Sequence, residues 1–248
     1  MKRREYDTLY AVEDRHWWYL GHRRLYASLL DRYCAPAASG RVLDAGCGTG
    51  GFTQWLRDGY HPHRLVGMDI SEEALARCGE RGLEELLRSS VDHIPLPDAS
   101  FDLVLSLNVL YHREVADDLE ALGEMHRVLV PGGFLLVNLP ALSFLRGGHD
   151  EAVGGVRRYR ASGLREMLSH ADFEVVKMTY FVFTLVPLIA AHRIRSRRDA
   201  GVDVASDLRL PPAAINRALA SLLSIEAGFA MRCGLPLGSS LTALARKG

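Results

Sequence analysis

Apolar positions follow two rhythms along the chain. Compact apolar runs, such as RVLDA, RLVGMD, FDLVLSL and FLLVNL, alternate with stretches where apolar residues recur every three or four positions. Compact runs fit strands buried on both faces, and the wider spacing fits helices lying on a sheet. This predicts strands at Arg41–Ala45, Arg64–Asp69, Leu86–Val91, Phe101–Leu107, Phe134–Leu139, Phe173–Tyr180 and Leu241–Ala245. It predicts helices at Trp17–Tyr33, Phe52–Asp58, Glu72–Gly82, Asp117–Val130, Gly163–His170 and Ala213–Cys233. Ser71 and Ser162 stand where N-caps belong, and Pro131-Gly132-Gly133 reads as a helix stop. Alternating strands and helices argue for an α/β fold with a parallel, doubly wound sheet.

The first strand runs into a glycine-rich turn, RVLDAGCGTGG, from Arg41 to Gly51. A strand, a glycine turn and a helix start together present free N–H groups and the positive end of a helix dipole. Gly46, Gly48 and Gly51 also satisfy G-x-G-x-x-G, so a dinucleotide and a NAD-dependent oxidoreductase are one reading. Asp44, just before the turn, argues against it, because a carboxylate there repels pyrophosphate and suits a ligand with an ammonium group. Asp69, ending the second strand in LVGMDIS, can accept from both hydroxyls of a ribose.

With FDLVLSLNVLYH and RVLVPGGFLLVNLP following at the spacing of a fourth and fifth strand, the chain resembles the class I S-adenosylmethionine-dependent methyltransferases. VLDAGCGTG, GMDIS, HIPLPDASFDLVLSLNVLYH and HRVLVPGGFLLV carry the resemblance, in that order, from Arg41 to Pro140. It implies a seven-stranded, mostly parallel, Rossmann-like sheet whose last strand is antiparallel between the fifth and sixth. S-adenosylmethionine is then the cofactor and S-adenosylhomocysteine the product. Asp44 takes the ammonium side, Gly46 and Gly48 let the methionine part pass, and Asp69 binds the ribose. Met68 and Ile70 flank the adenine, Ser90 and Val91 lie at its edge, and the backbone of Leu107 and Asn108 completes the amino-acid end. Many relatives carry Asp where this chain has Ser90, and Asp92 is the candidate substitute.

Three regions follow: an N-terminal helical lid over residues 1–40, a cofactor domain over 41–180 plus 240–248, and a helical insert over 181–239. In the first, His16, Trp17 and Trp18 can close over the crevice, and Arg23 or Arg24 can reach the ligand's carboxylate. The insert holds an apolar run, Phe181–Ile194, closed by His192, Arg193, Arg195, Arg197 and Arg198. It then passes through a polar linker, Ser196–Pro212, to the helix at Ala213. A cap over the acceptor pocket, a dimer interface and a membrane-surface element compete, and the run's length favours the first two. Monomer and homodimer both fit.

The acceptor side is sparser. A base is needed where the acceptor carries a proton, and histidine suits that task near neutral pH. His16, His112 and His149 are the candidate bases: His112 follows strand four, and His149 lies in the loop after strand five beside Asp150. Tyr159 and Arg158 stand ready for a hydroxylated or anionic acceptor. Lys plus Arg and Asp plus Glu are each 30, so no net field draws the chain to nucleic acid, and a small-molecule acceptor (secondary metabolite, quinone or sugar; O- or N-methylation) is expected. A non-catalytic cofactor-binding protein on the same fold is the other alternative. Cys34, Cys47, Cys78 and Cys233 form no C-x-x-C pair, which predicts no zinc site and reduced thiols in a cytoplasmic protein.

Overall fold

The computed structural model describes residues 3–191 and 209–248. The expected His192, Arg193, Arg195, Arg197 and Arg198 cluster, and most of the polar linker, lie outside the described residues. Within them, β1 (Arg41–Ala45), β2 (Arg64–Asp69), β3 (Glu85–Arg88), β4 (Phe101–Leu107), β5 (Leu129–Pro140), β6 (Phe173–Phe181) and β7 (Ser240–Lys247) build a seven-stranded sheet. Its order is β3-β2-β1-β4-β5-β7-β6. The first five pair in parallel, and β7 runs antiparallel between β5 and β6. The strand order reverses between β1 and β4, the place where open α/β sheets leave a crevice at the carboxyl ends of their strands.

Nine helices are described with it: α1 (Arg3–Val12), α2 (Trp17–Tyr33), α3 (Ala35–Ala38), α4 (Gly51–Tyr60), α5 (Glu72–Glu80), α6 (Asp118–Val128), α7 (Gly148–Ala152), α8 (Ala161–His170) and α9 (Ala213–Cys233). Successive strand residues face opposite sides of the sheet. Accordingly Leu43, Val104 and Leu135 pack with Leu122 of α6 and Leu164 of α8. Their neighbours Val42, Leu103 and Leu136 pack with Leu25, Tyr26 and Leu29 of α2 and with Leu223 and Ala227 of α9. The N-terminal helix and the insert's helix thus share one layer on one face of the sheet.

α2 and α9 approach closely. A Cβ on Gly21 would stand 2.5 Å from Leu223 Cδ1, so only glycine fits. The amide of Trp17 donates to Asn216 Oδ1 (2.9 Å), and Asn216 Nδ2 donates to the Arg15 carbonyl (2.7 Å). Further along α9, buried Glu226 accepts from the amides of Phe183 (2.8 Å) and Thr184 (3.0 Å) and from the Thr184 hydroxyl (2.6 Å). That carboxylate satisfies donors that the chain exposes as it leaves β6, which a buried loop requires.

Several local expectations give way. α1 is a helix beyond those expected. Ser162 does not cap α8, which begins at Ala161 with Arg160 in the cap position, so Ser162 sits inside the first turn. Ser71 does cap α5, accepting from Ala74 N–H. Pro131-Gly132-Gly133 lies within β5, where the pairing steps from Phe101↔Leu129 to Leu103↔Phe134; α6 has already ended at Val128. The third strand stops at Arg88, which leaves Ser90 and Val91 in a loop. The apolar run after β6 is a loop followed by helical residues at 186–191 rather than one long helix.

Replacing Gly21 with valine should overpack the α2–α9 contact and cost about 1–3 kcal/mol of stability in urea unfolding. An unchanged midpoint would show that the two helices are not held at this distance.

Candidate functional site

Parallel register brings Asp44 of β1 level with Gly67 of β2 and Leu105 of β4, so the ends of three strands open on one cleft. A cavity of about 870 Å3 lies there. The glycine turn hangs on β2: the amides of Gly46 and Cys47 both donate to the Met68 carbonyl (2.7 and 2.9 Å). Gly46 has φ +95°, and a Cβ on it would collide with Val109. Gly48 differs: with φ +55°, a Cβ on it would meet nothing within 4 Å, because it faces the open cleft.

Two buried acids define this end. Asp44 accepts from the Thr53 hydroxyl of α4 at 2.5 Å. Burial, with Asp69 and Glu13 nearby, pushes its carboxyl up to about 7, against the pull of that hydrogen bond. Asp69 accepts from the amides of Gly48 and Ser71, each at 2.9 Å. Burial raises its carboxyl as well, and the two amides oppose the rise. Each carboxylate oxygen keeps a further lone pair. Ile70, Ser90 and Val91 line the wall next to Asp69, whereas Met68 is wholly buried in the core and does not line the cleft. Asp92 does not line it either; its carboxylate faces the amide of Ala116 (3.4 Å). Leu107 and Asn108 close the floor. Asn108 has φ +59° and is held by Asn138, whose side chain donates to Asn108 Oδ1 (3.0 Å) and accepts from the Thr242 hydroxyl (2.7 Å).

The N-terminal helix contributes residues that sequence reasoning missed. Tyr6, Leu9 and Glu13 line the cleft, and their spacing was the helical signal that could have found them. Buried Glu13 accepts from the Thr49 hydroxyl (2.5 Å) and from Arg81 Nη2 (2.8 Å). Arg81 also donates to Asp14 (2.8 Å) and to the Thr49 carbonyl (2.8 Å). Arg23 bridges Asp14 and the Gly51 carbonyl, both at 3.0 Å, and does not line the cavity; Arg24 is exposed to solvent. These bonds clamp the α1–α2 turn onto the glycine turn.

Opposite lies an aromatic wall of Trp17, Trp18, Tyr19 and Tyr111, with His16, His112, Arg158, Leu188 and Ile189 beside it. His16 caps α2, its Nδ1 accepting from the amide of Trp18 (3.3 Å), and it also hydrogen-bonds the backbone of Arg209. Burial lowers its pKa to about 4, and it lines the cavity beside the wall with its Nδ1 taken up in capping α2. Trp18 stacks on buried His22 with ring centres 3.7 Å apart. His112 lines the cleft just beyond β4, 3.8 Å from Glu114; burial lowers its pKa to about 4 despite that carboxylate. Arg158 reaches the cleft in a buried pair with Asp150 (2.8 Å) and donates to the Ala141 carbonyl (2.7 Å). Tyr159, its neighbour, faces the other way: its hydroxyl donates to Asp118 (2.8 Å), outside the cleft. His149 falls in α7, and its side chain lies outside the described residues.

A sheet with an antiparallel seventh strand, and a crevice carrying one acid at the glycine turn and another at the end of β2, suit a nucleoside joined to an amino acid. Residues 43–137 match a family model described as a methyltransferase domain. A probable S-adenosylmethionine-dependent methyltransferase of Mycolicibacterium smegmatis is 33% identical over 172 residues, 68% of this chain and 63% of that protein. The chain spans about three fifths of the length of that relative and of a second probable S-adenosylmethionine-dependent methyltransferase, from Mycobacterium tuberculosis, of which it covers 61% at 29% identity. Among solved structures, a putative methyltransferase of Haloferax volcanii, in complex with the Trm112 activator, shares the fold at a TM-score of 0.61 and 21% identity, covering 98% of this chain and 97% of that one. The chain belongs to the class I S-adenosylmethionine-dependent methyltransferases. That membership sets aside the NAD-dependent reading of the same glycines.

The site fits the family's cofactor. Asp44 is a buried acid suited to an ammonium group, Asp69 is an acceptor pair suited to a ribose diol, and Gly48 leaves open space beside the backbone. Gly48→Ala should cost about 1 kcal/mol of stability, from the left-handed φ. Cofactor affinity in calorimetry should fall at least about tenfold, since the new methyl group enters the space the ligand needs; unchanged affinity would move the ligand elsewhere. Because Asp44 must be ionised to meet an ammonium group and titrates near 7, affinity should also weaken as pH falls below about 7, approaching a factor of ten per unit. A flat pH profile would remove Asp44 from ammonium binding.

Proposed function

We propose that the protein transfers a methyl group from S-adenosylmethionine to a small-molecule acceptor with an apolar or aromatic body, on an oxygen or nitrogen atom. One observation carries this reading: a single cavity joins the cofactor residues Asp44, Gly48 and Asp69 to the aromatic wall and His112. Its size falls within the range of small-molecule sites, about 300–1,000 Å3, and suits a cofactor with a compact second reactant beside it. The apolar lining of Leu9, Trp17, Trp18 and Ile189 supports an acceptor recognised through its hydrocarbon face. Cleft-lining residues from α1 and from the segment before α9, namely Tyr6, Leu9, Leu188, Ile189, Arg209 and Pro211, support the reading of both segments as a cover over it.

The bound cofactor supplies a methyl group made electrophilic by a sulfonium. What this chain must add is alignment and exclusion of water, and orientation of that kind is worth on the order of 7–11 kcal/mol. The Glu13–Thr49–Arg81 clamp and the α2 N-terminus keep the aromatic wall in place for that purpose. Where the acceptor's oxygen or nitrogen carries a proton, the imidazole of His112 would take it during methyl transfer. Burial keeps that imidazole neutral at physiological pH, so it can accept a hydrogen bond from the acceptor's O–H or N–H and then take the proton. Arg158, fixed by Asp150, presents a cationic edge toward a polar group on the acceptor.

His112→Asn should lower kcat by roughly 10²–10⁴ on the acceptor found by a screen that reads S-adenosylhomocysteine, with cofactor affinity unchanged. With S-adenosylmethionine saturating, so that Asp44 does not limit binding, the wild type should show a kcat level from pH 6 to 8 that falls only at lower pH, in line with a His112 pKa of about 4. Full activity in the variant would exclude His112 as the proton acceptor, and no turnover with any acceptor would favour a cofactor-binding protein without catalysis.

A further inference from the structure

α9 has two faces with different partners. Leu223, Glu226, Ala227 and Ala230 face inward and are buried, packing α9 into the layer it shares with α2 or, for Glu226, holding the loop after β6. On the outer side, Ile215, Leu222, Ile225 and Phe229 recur at intervals of seven, three and four, which sets them on one side of the helix, with Leu222 partly buried against the core at its inner edge. Ile215 is 53% exposed, Ile225 63% and Phe229 56%. Alongside them, Arg217, Ser221, Ser224 and Arg232 occupy a separate polar strip, and all four are exposed.

The stripe continues beyond the helix. Phe183, held to α9 through Glu226, is 37% exposed at the end where Ile225 and Phe229 lie. At the cleft, Leu188 is 65% exposed and also lines the cavity, and exposed Arg209 lines it too. Among the described residues from 183 to 237, every exposed charge is basic: Arg209, Arg217 and Arg232. Glu226, the acid of that stretch, is buried.

We infer that the outer face of α9, together with Leu188 at the mouth of the cleft, rests on an anionic lipid surface. An exposed apolar strip flanked by arginines is the pattern of a helix lying in the interface of a bilayer, its side chains reaching the acyl boundary while the cations meet phosphate headgroups. Among the described residues no helix is long and apolar enough to cross a membrane, so contact is along the surface. A second copy of this chain fits the face less well. It would set Arg217 and Arg232 against a surface that offers arginine and no exposed acid, and a stripe of three large exposed side chains falls short of the roughly 1,200–2,000 Å2 of a stable interface. Lipid binding here needs neither cofactor nor acceptor, so it stands or falls separately from methyl transfer.

The test is co-sedimentation of the full chain with phosphatidylcholine vesicles, with and without phosphatidylglycerol. Binding to the anionic vesicles should fall at least about tenfold in Ile225→Glu/Phe229→Glu and, separately, in Arg217→Glu/Arg232→Glu. Those side chains are exposed, so circular dichroism should show both variants folded as the wild type. No binding to anionic vesicles would overturn the inference, as would binding that the first pair of substitutions leaves unchanged. Light scattering that shows a dimer dissociated by Ile225→Glu/Phe229→Glu would assign the face to a second copy instead.

Discussion

The cleft depends on the parallel register of β1, β2 and β4. Because Asp44 pairs level with Gly67 and Leu105, the chain emerges from three strands at one edge and at one height. The two acids then fall at the carboxyl ends of neighbouring strands, and the turn between β1 and α4 can hang from the Met68 carbonyl. A one-residue slip would turn Asp44 from the face it shares with Val42 to the opposite one, toward the α6 and α8 layer. The apolar alternation of Val42 with Leu43, and of Leu103 with Val104, prevents that slip by giving each face its own set of partners.

A second layer of constraint is electrostatic. Glu13, Asp44 and Asp69 crowd negative charge beside the glycine turn, and each carboxyl is pushed above its ordinary range by burial. Arg81 offsets part of this from the side, tying Glu13 and Asp14 to the carbonyl of Thr49. Asp44 has no such cation in its hydrogen bonds and leans on the Thr53 hydroxyl alone among the described contacts. A buried acid with a neutral donor is a poor place for a lone negative charge and a good one for a pair. The arrangement favours a ligand that brings its own cation, and that preference is built into the protein before any ligand arrives.

Much of this was legible in the sequence, for identifiable reasons. β1, β2, β4, α2 and α9 have the bounds that periodicity predicts, because each carries its pattern on a face buried against the sheet or a neighbouring helix. Asp44, Gly48 and Asp69 were legible because strand ends and glycine turns fix backbone position without help from distant residues. Glu13 was not, because what buries it lies 36 and 68 residues away, at Thr49 and Arg81. Arg158 and Tyr159 show the same limit at close range. They are consecutive on an irregular segment, where no period of 2 or 3.6 says which side chain faces the cleft. Arg158 faces it beside Asp150, while Tyr159 turns to Asp118. His16 lines the cleft and, standing one residue before α2, also caps that helix.

Overall charge balance was informative about the whole chain and misleading about its parts. A formal net charge of zero argues against a surface that gathers polyanions by long-range attraction. It says nothing about how the charges are distributed. Some acids clamp α1 and line the cleft, and the exposed charges on the described part of α9 are arginines alone. Interfacial attachment depends on charge within a Debye length of the surface, roughly 8–10 Å, so the local sign decides and the total does not. The apolar run after β6 is divided between the end of β6, a loop and the helical residues at 186–191, whereas the outward apolar stripe lies on α9.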